Sequence, residues 1–202
     1  MNTTPFWTWF QSHNEQLTML NDLGEKEQNA LLDDLQTQLE AYCPGLTYEM
    51  GEPTPSGRTL TFSAEGDTDL FEALLQLTDE APDLDWWEFV PFKQPNGKSV
   101  RVTFDKYTFA SKDMYFQQLE SEEEPDILGL RIALPNPVAD DDDQLVGVYV
   151  TIEAMIGEFD CATLIGYLDT CDIPSDPQAA GFKPMDDLPE FIEWFKAQRD
   201  DE

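Results

Sequence analysis

Apolar residues recur along this chain with two different periods, and the changes between them divide it into elements. Residues 4–20 carry Phe6, Trp7, Trp9, Phe10, Leu17 and Leu20, the pattern of a helix with an aromatic first turn. After the break at Asn21-Asp22-Leu23-Gly24, a second helix from Glu25 places Leu31, Leu35, Leu39 and Tyr42 on one face, with acids opposite. It stops at Cys43-Pro44-Gly45, so the two form an antiparallel helical hairpin.

The period then shortens to two. Residues 46–50 alternate as a strand, 51–57 form a proline-containing loop, and Leu60, Phe62 and Ala64 alternate in a second strand that ends at Glu65-Gly66. A helix capped by Asp67 or Thr68 follows, with Leu70, Phe71, Leu74, Leu75 and Thr78 on one face. Residues 86–92, with Trp86, Trp87, Phe89, Val90 and Phe92, are too aromatic to leave in water and predict a central strand. Asn96-Gly97 then reads as a tight hairpin turn, with Val100, Val102 and Phe104 alternating on its far side.

Residues 114–119 and 127–134 predict two more strands around the acidic loop 120–126. Leu145, Val148, Tyr149, Ile152, Met155 and Ile156 then fall at helical spacing in a stretch whose propensity is β-rich, and the period decides for helix. Residues 162–173 suit a strand, 174–184 a loop, and Leu188, Phe191, Ile192 and Phe195 mark a last short helix. The fold class is therefore α+β: an N-terminal helical hairpin, then two similar strand-strand-helix-strand units with mainly antiparallel sheet. The expected boundaries are 1–45 for the hairpin, 46–112 for the first unit with its basic hairpin, and 113–202 for the second unit with the C-terminal helix, packed as one compact domain.

Composition adds one strong constraint. In 202 residues, 42 acids face 11 bases, for a formal net charge of −31, while 41% hydrophobic and 12% aromatic content supports a real core. Such a surface repels phosphates, which argues against direct nucleic-acid binding and against anionic membranes. No apolar run spans a bilayer and residues 1–7 lack the character of a signal peptide, so the expected location is the cytoplasm. Cys43, Cys161 and Cys171 form no Cys-x-x-Cys pair and read as reduced thiols, mostly buried.

Candidate chemistry is sparse. His13 is the sole histidine and reads as a surface residue, because a nucleophile–base pair would need a distant partner. Asp140, Asp141, Asp142 and Asp143 suggest a hard-cation site, but Leu145 and Thr151 stand where an EF-hand needs its glycine and glutamate, so a helix-start cluster is the expectation. Glu65, Glu88 and Glu158 lie at element ends without a nucleophile or phosphate loop beside them. No metal or cofactor is expected, and the balance lies against an enzyme.

Four motifs carry a resemblance: Phe6-Trp7-x-Trp9-Phe10, Ser63-Ala64-x-Gly66, Ala81-Pro82-x-Leu84-x-Trp86 continuing to Phe92-Lys93-Gln94-Pro95, and the step Gly157-Glu158. On these the chain resembles an uncharacterised bacterial family, a domain of unknown function with a Trp-rich N-terminal helix, an Ala-Pro-x-Leu-x-Trp turn-strand and a Gly-Glu step. The resemblance implies a fold and a bacterial origin, and no activity.

The functional expectation is thus electrostatic: a non-catalytic module whose acidic face meets a basic protein, of inhibitor, immunity or nucleic-acid-mimic type. The partner face is expected on the second half, where residues 113–202 contain only the bases Arg131, Lys183, Lys196 and Arg199. Its named residues are Glu122, Glu123, Glu124 and Asp140 to Asp143. Lys93, Lys98, Arg101, Lys106 and Lys112 form either a basic docking patch or a local charge balance. The alternatives are a carboxylate and divalent-metal hydrolase, and a salt-adapted protein whose acidity serves no binding. The oligomeric state is left open.

Overall fold

A computed structural model describes residues 1–119, 127–139 and 141–200. The chain divides into two compact units, Met1–Lys93 and Gln94–Glu202. The boundary falls after Lys93 rather than after residue 112, so the segment 94–112 belongs with the second unit.

In the first unit, α1 (Thr4–Thr18) starts with a proline in its first turn, where a missing N–H costs nothing. It leads through a short 3-10 turn, Leu20–Asp22, into α2 (Glu25–Tyr42). The sheet is built from β1 (Thr47–Met50), β2 (Arg58–Ser63) and β3 (Trp87–Pro91), with α3 (Phe71–Asp79) between the last two. β1 runs antiparallel to β2, and β3 runs parallel to it on the other side. The aromatic strand is therefore an edge, and β2 is the central strand. The sequence expectation of a central strand fails because its aromatics are shielded by a helix rather than by two strand neighbours. Trp7 of α1 meets Phe89 edge-on at 4.7 Å, and Phe10 meets Trp87 at 5.2 Å. The indole N–H groups inside this cluster find partners: Trp7 donates to the Leu77 carbonyl at 3.0 Å and Trp87 to Asn14 Oδ1 at 2.7 Å.

The second unit opens with the hairpin of β4 (Arg101–Phe104) and β5 (Tyr107–Ala110). Its two-residue turn is Asp105-Lys106, with Asp105 left-handed at φ 49°. Asn96-Gly97 is thus no hairpin turn. The backbone N–H groups of Asn96 and Gly97 donate instead to the carbonyls of Ala154 and Met155, near the C-terminal end of a helix that needs such donors.

That helix, α4 (Asp142–Ile156), confirms the decision for period over propensity. It follows β6 (Tyr115–Leu119) and β7 (Leu128–Leu134), which pair antiparallel. Gly157, at φ 86°, ends it, and α5 (Glu158–Leu164) starts at once, so the strand expected from residue 162 begins only at β8 (Ile165–Asp172). β8 runs parallel to β7. The two-residue β9 (Lys183–Pro184) pairs with the other side of β6, and α6 (Leu188–Asp200) closes the chain.

Both units therefore share one winding: an antiparallel pair, a helical crossover, and a third strand laid parallel to the second. The strand order β1-β2-β3 has its counterpart in β6-β7-β8. Side chains alternating along β6 and β7 explain the core of the second unit. Phe116, Leu128, Leu130, Ile132 and Leu134 face Val148, Ile152 and Met155 of α4 and Leu188, Ile192 and Phe195 of α6. The other sheet face carries Arg131, whose guanidinium grips Asp169 of β8 through Nε and Nη2, at 2.9 and 2.6 Å. No helix among the described residues is long and apolar enough to cross a membrane.

Candidate functional site

The glutamates singled out by sequence occupy separate places. In the first unit, Glu65 sits left-handed at φ 51° just beyond β2. Its carboxylate accepts from Thr47 Oγ1 at 2.6 Å and from Lys93 Nζ at 2.8 Å, and Ser63 Oγ lies at 3.4 Å. Burial pushes this carboxyl up, but the hydrogen bonds from Lys93, Thr47 and Ser63, with the Lys93 charge, outweigh it and hold its pKa below the ordinary glutamate value. The Ser63-Ala64-x-Gly66 motif and Lys93 thus meet in one clasp, which ties the end of β2 to the chain leaving β3. Its acid is engaged, so the clasp is an anchor. Glu88 is exposed on β3 and accepts from Thr59 Oγ1 at 3.3 Å, whereas Glu158 is fully buried at the start of α5. The hydroxyls that Glu65 and Glu88 engage, those of Thr47, Ser63 and Thr59, have no histidine as a hydrogen-bond partner among the described residues.

His13 stacks on Trp9, its ring centroid 4.4 Å away, and Nδ1 lies 2.9 Å from the Trp9 carbonyl one turn back. An Nδ1–H donating to that carbonyl makes His13 part of the surface of α1, as its spacing suggested.

The five bases of the expected docking patch fall in both units. Lys93 belongs to the first unit and to the clasp. Lys98 meets Glu190 at 2.6 Å, and that hydrogen bond raises its pKa. Lys106 sits 3.5 Å from Asp141 and over the ring of Tyr107, and the charge of Asp141 is the main reason its pKa is raised. Arg101 and Lys112 are exposed and make no ion pair among the described residues. Three of the five thus pair with acids.

Asp141 has structural work at the start of α4. It caps the helix by accepting from the Gln144 N–H at 2.9 Å, and Tyr107 Oη donates to it at 2.7 Å. The Tyr107 hydrogen bond, then the Gln144 one, lowers its pKa. Asp142 and Asp143 lie in the first turn, where the helix dipole favours them. Glu122, Glu123, Glu124 and Asp140 lie outside the described residues. Among the described residues no three metal-ligating side chains come together.

A different place in the second unit has the form of a binding site. An open groove of about 1180 Å³ runs between the β6–β9 edge and α6. Phe191 and Trp194, one helical turn apart on α6, form its aromatic shelf, with ring centroids 5.5 Å apart and planes 32° from parallel. Phe191 is held in the core, 5.3 Å from Phe116, while Trp194 is 53% exposed. Tyr115 joins the lining from β6. The groove also includes the carboxylates Asp176, Asp187 and Glu190, against one base, Lys183.

Sequence reasoning passed over this groove because residues 174–184 read only as a loop. One signal was present: Trp194 stands outside the Leu188, Phe191, Ile192 and Phe195 stripe, and a large aromatic on the polar side of an amphipathic helix has no core to fill. No family model, no curated protein and no solved structure matches the chain.

Proposed function

We propose that the protein is a non-catalytic acidic binding module that engages a basic protein surface through the groove of its second unit. One observation carries the reading: in a chain of net charge −31, the exposed tryptophan lies in an open groove with three carboxylates. Aromatic anchors supply contact energy at interfaces, and the surrounding charge selects the partner and speeds the encounter. Three unpaired thiols, two of them buried, fit work in a reducing compartment such as the bacterial cytoplasm.

The test is capture of partners at low salt by the native protein and by two groove variants, Trp194→Ala and the Asp176→Asn/Asp187→Asn pair. The expected result is a basic partner whose retention drops about tenfold or more in both variants. Its association rate should fall steeply between about 50 and about 300 mM salt. A partner held equally by the variants, or one whose association ignores salt, would overturn the proposal.

A further inference from the structure

Resting on that reading, we infer that the groove receives an arginine side chain on Trp194, and that Lys183 is the chain's own stand-in for the partner's cation. The ammonium of Lys183 lies 4.7 Å from the centroid of the Phe191 ring. Lys183 makes no ion pair among the described residues although three carboxylates line the same groove, so its resting place is the aromatic shelf. The shelf therefore already holds one cation on a ring, at a position fixed by the pairing of Lys183 with Phe116 across β9 and β6.

Trp194 continues this shelf. It is the ring type that attracts cations best, and more than half its surface is open. Its one ring contact among the described residues is Phe191. A flat guanidinium stacks on such a face and still directs N–H donors sideways to carboxylates, which a compact, strongly hydrated ammonium does less well. Asp187 makes no ion pair among the described residues, and there the carboxylate of Asp176 accepts only the Ala179 N–H, at 3.0 Å, so both carboxylates retain acceptor capacity. Glu190 is shared with Lys98 at 2.6 Å.

The assignment makes Lys183 an opponent of binding. Its charge repels an incoming cation, and its contact with Phe191 occupies half of the shelf. Removing it should tighten binding, whereas removing Trp194 should weaken it. This opposition separates a specific groove from general attraction to an acidic surface.

The probe is a peptide alternating arginine and alanine, titrated calorimetrically at about 150 mM salt against the native protein and the variants Trp194→Ala, Lys183→Met and Lys112→Met. Lys112 is exposed and outside the groove, so its replacement changes net charge equally without touching the shelf. Trp194→Ala should weaken binding about tenfold, and Lys183→Met should tighten it about threefold or more, with Lys112→Met changing it less than about twofold. A matching peptide with lysine for arginine should bind several-fold more weakly. Equal tightening by Lys183→Met and Lys112→Met would overturn the stand-in role, and a preference for the lysine peptide, or no binding of the arginine peptide, would overturn the arginine assignment. Any of these results leaves capture of a basic partner standing, and failed capture leaves these titrations interpretable, so the two readings fail separately.

Discussion

At the scale of single residues, adjacent tryptophans have opposite fates. Trp87 is buried with its indole N–H on Asn14, while the buried N–H of Trp86 has no acceptor among the described residues. A buried donor left unpaired costs about 1–3 kcal/mol, so removing the donor while keeping most of the ring relieves that cost. Trp86→Phe should therefore be neutral or stabilising by up to about 1 kcal/mol, once the smaller ring's lost contacts are subtracted. Trp87→Phe should be destabilising, because it leaves Asn14 without its donor. Urea midpoints of both variants check the contrast, and a large loss for Trp86→Phe would mean that its N–H is satisfied in solution. The clasp offers a second residue-scale outcome. The folded pKa of Glu65 is depressed, so its stabilising effect is present above the unfolded glutamate value and is lost as pH falls through the folded value. Glu65→Gln should cost about 0.5 kcal/mol or less at neutral pH, because about half of that carboxylate side chain is exposed to solvent. The gap from native should close as denaturation is followed below about pH 4. A gap that widens in acid would show the sign to be wrong.

At the scale of elements, α4 packs tightly on the β4–β5 hairpin. A Cβ placed on Gly147 would lie 2.3 Å from Phe109 Cε2 and 3.2 Å from Phe104 Cβ. Alanine is worth about 1 kcal/mol over glycine inside a helix, but the collision with a core ring outweighs it. Gly147→Ala should destabilise by about 1–3 kcal/mol in urea denaturation, and a stabilised variant would show that helix and hairpin stand further apart. This contact also marks the limit of what the sequence discloses. α4 was legible because six apolar residues held one period over three turns. α5 was not, since seven residues give a period too little length, although Glu158, Cys161 and Leu164 are its buried side. Asn96-Gly97 misled because a dipeptide suited to tight turns also suits a loop that caps another helix with its N–H groups. The true turn at Asp105-Lys106 lay between two β-prone runs, Val102-Thr-Phe104 and Tyr107-Thr-Phe109, and carried a weaker dipeptide. The repeated strand order could be read from the sequence, but the parallel pairings that make β3 an edge are long-range choices that leave no local mark. The groove was illegible for the same reason: β6, the loop before β9 and α6 build it together, and only Trp194 departs from its local pattern.

At the scale of the whole molecule, screening acts on stability and on association with opposite signs. Among the described residues Lys93, Lys98, Lys106, Arg131 and Lys196 pair with acids, and with 42 acids against eleven bases the negative charges are far in excess. Their mutual repulsion opposes the folded state at low ionic strength, and shortening the Debye length from about 30 Å at 0.01 M to about 10 Å at 0.1 M relieves it. The melting temperature of the isolated protein should therefore rise by several degrees over that range. A flat profile would remove salt adaptation as the reason for the acidity. Encounter with a basic partner should slow over the same range, because the field that strains the fold is the field that draws the partner. Neutralising acids remote from the groove separates these effects. If the charge serves binding mainly through local contacts, asparagine or glutamine at such positions should raise the low-salt melting temperature while hardly changing partner dissociation, whereas Asp176→Asn/Asp187→Asn should speed dissociation with little gain in stability. Equal effects of the two sets on dissociation, measured at one salt concentration, would place recognition in the overall field and not in the groove.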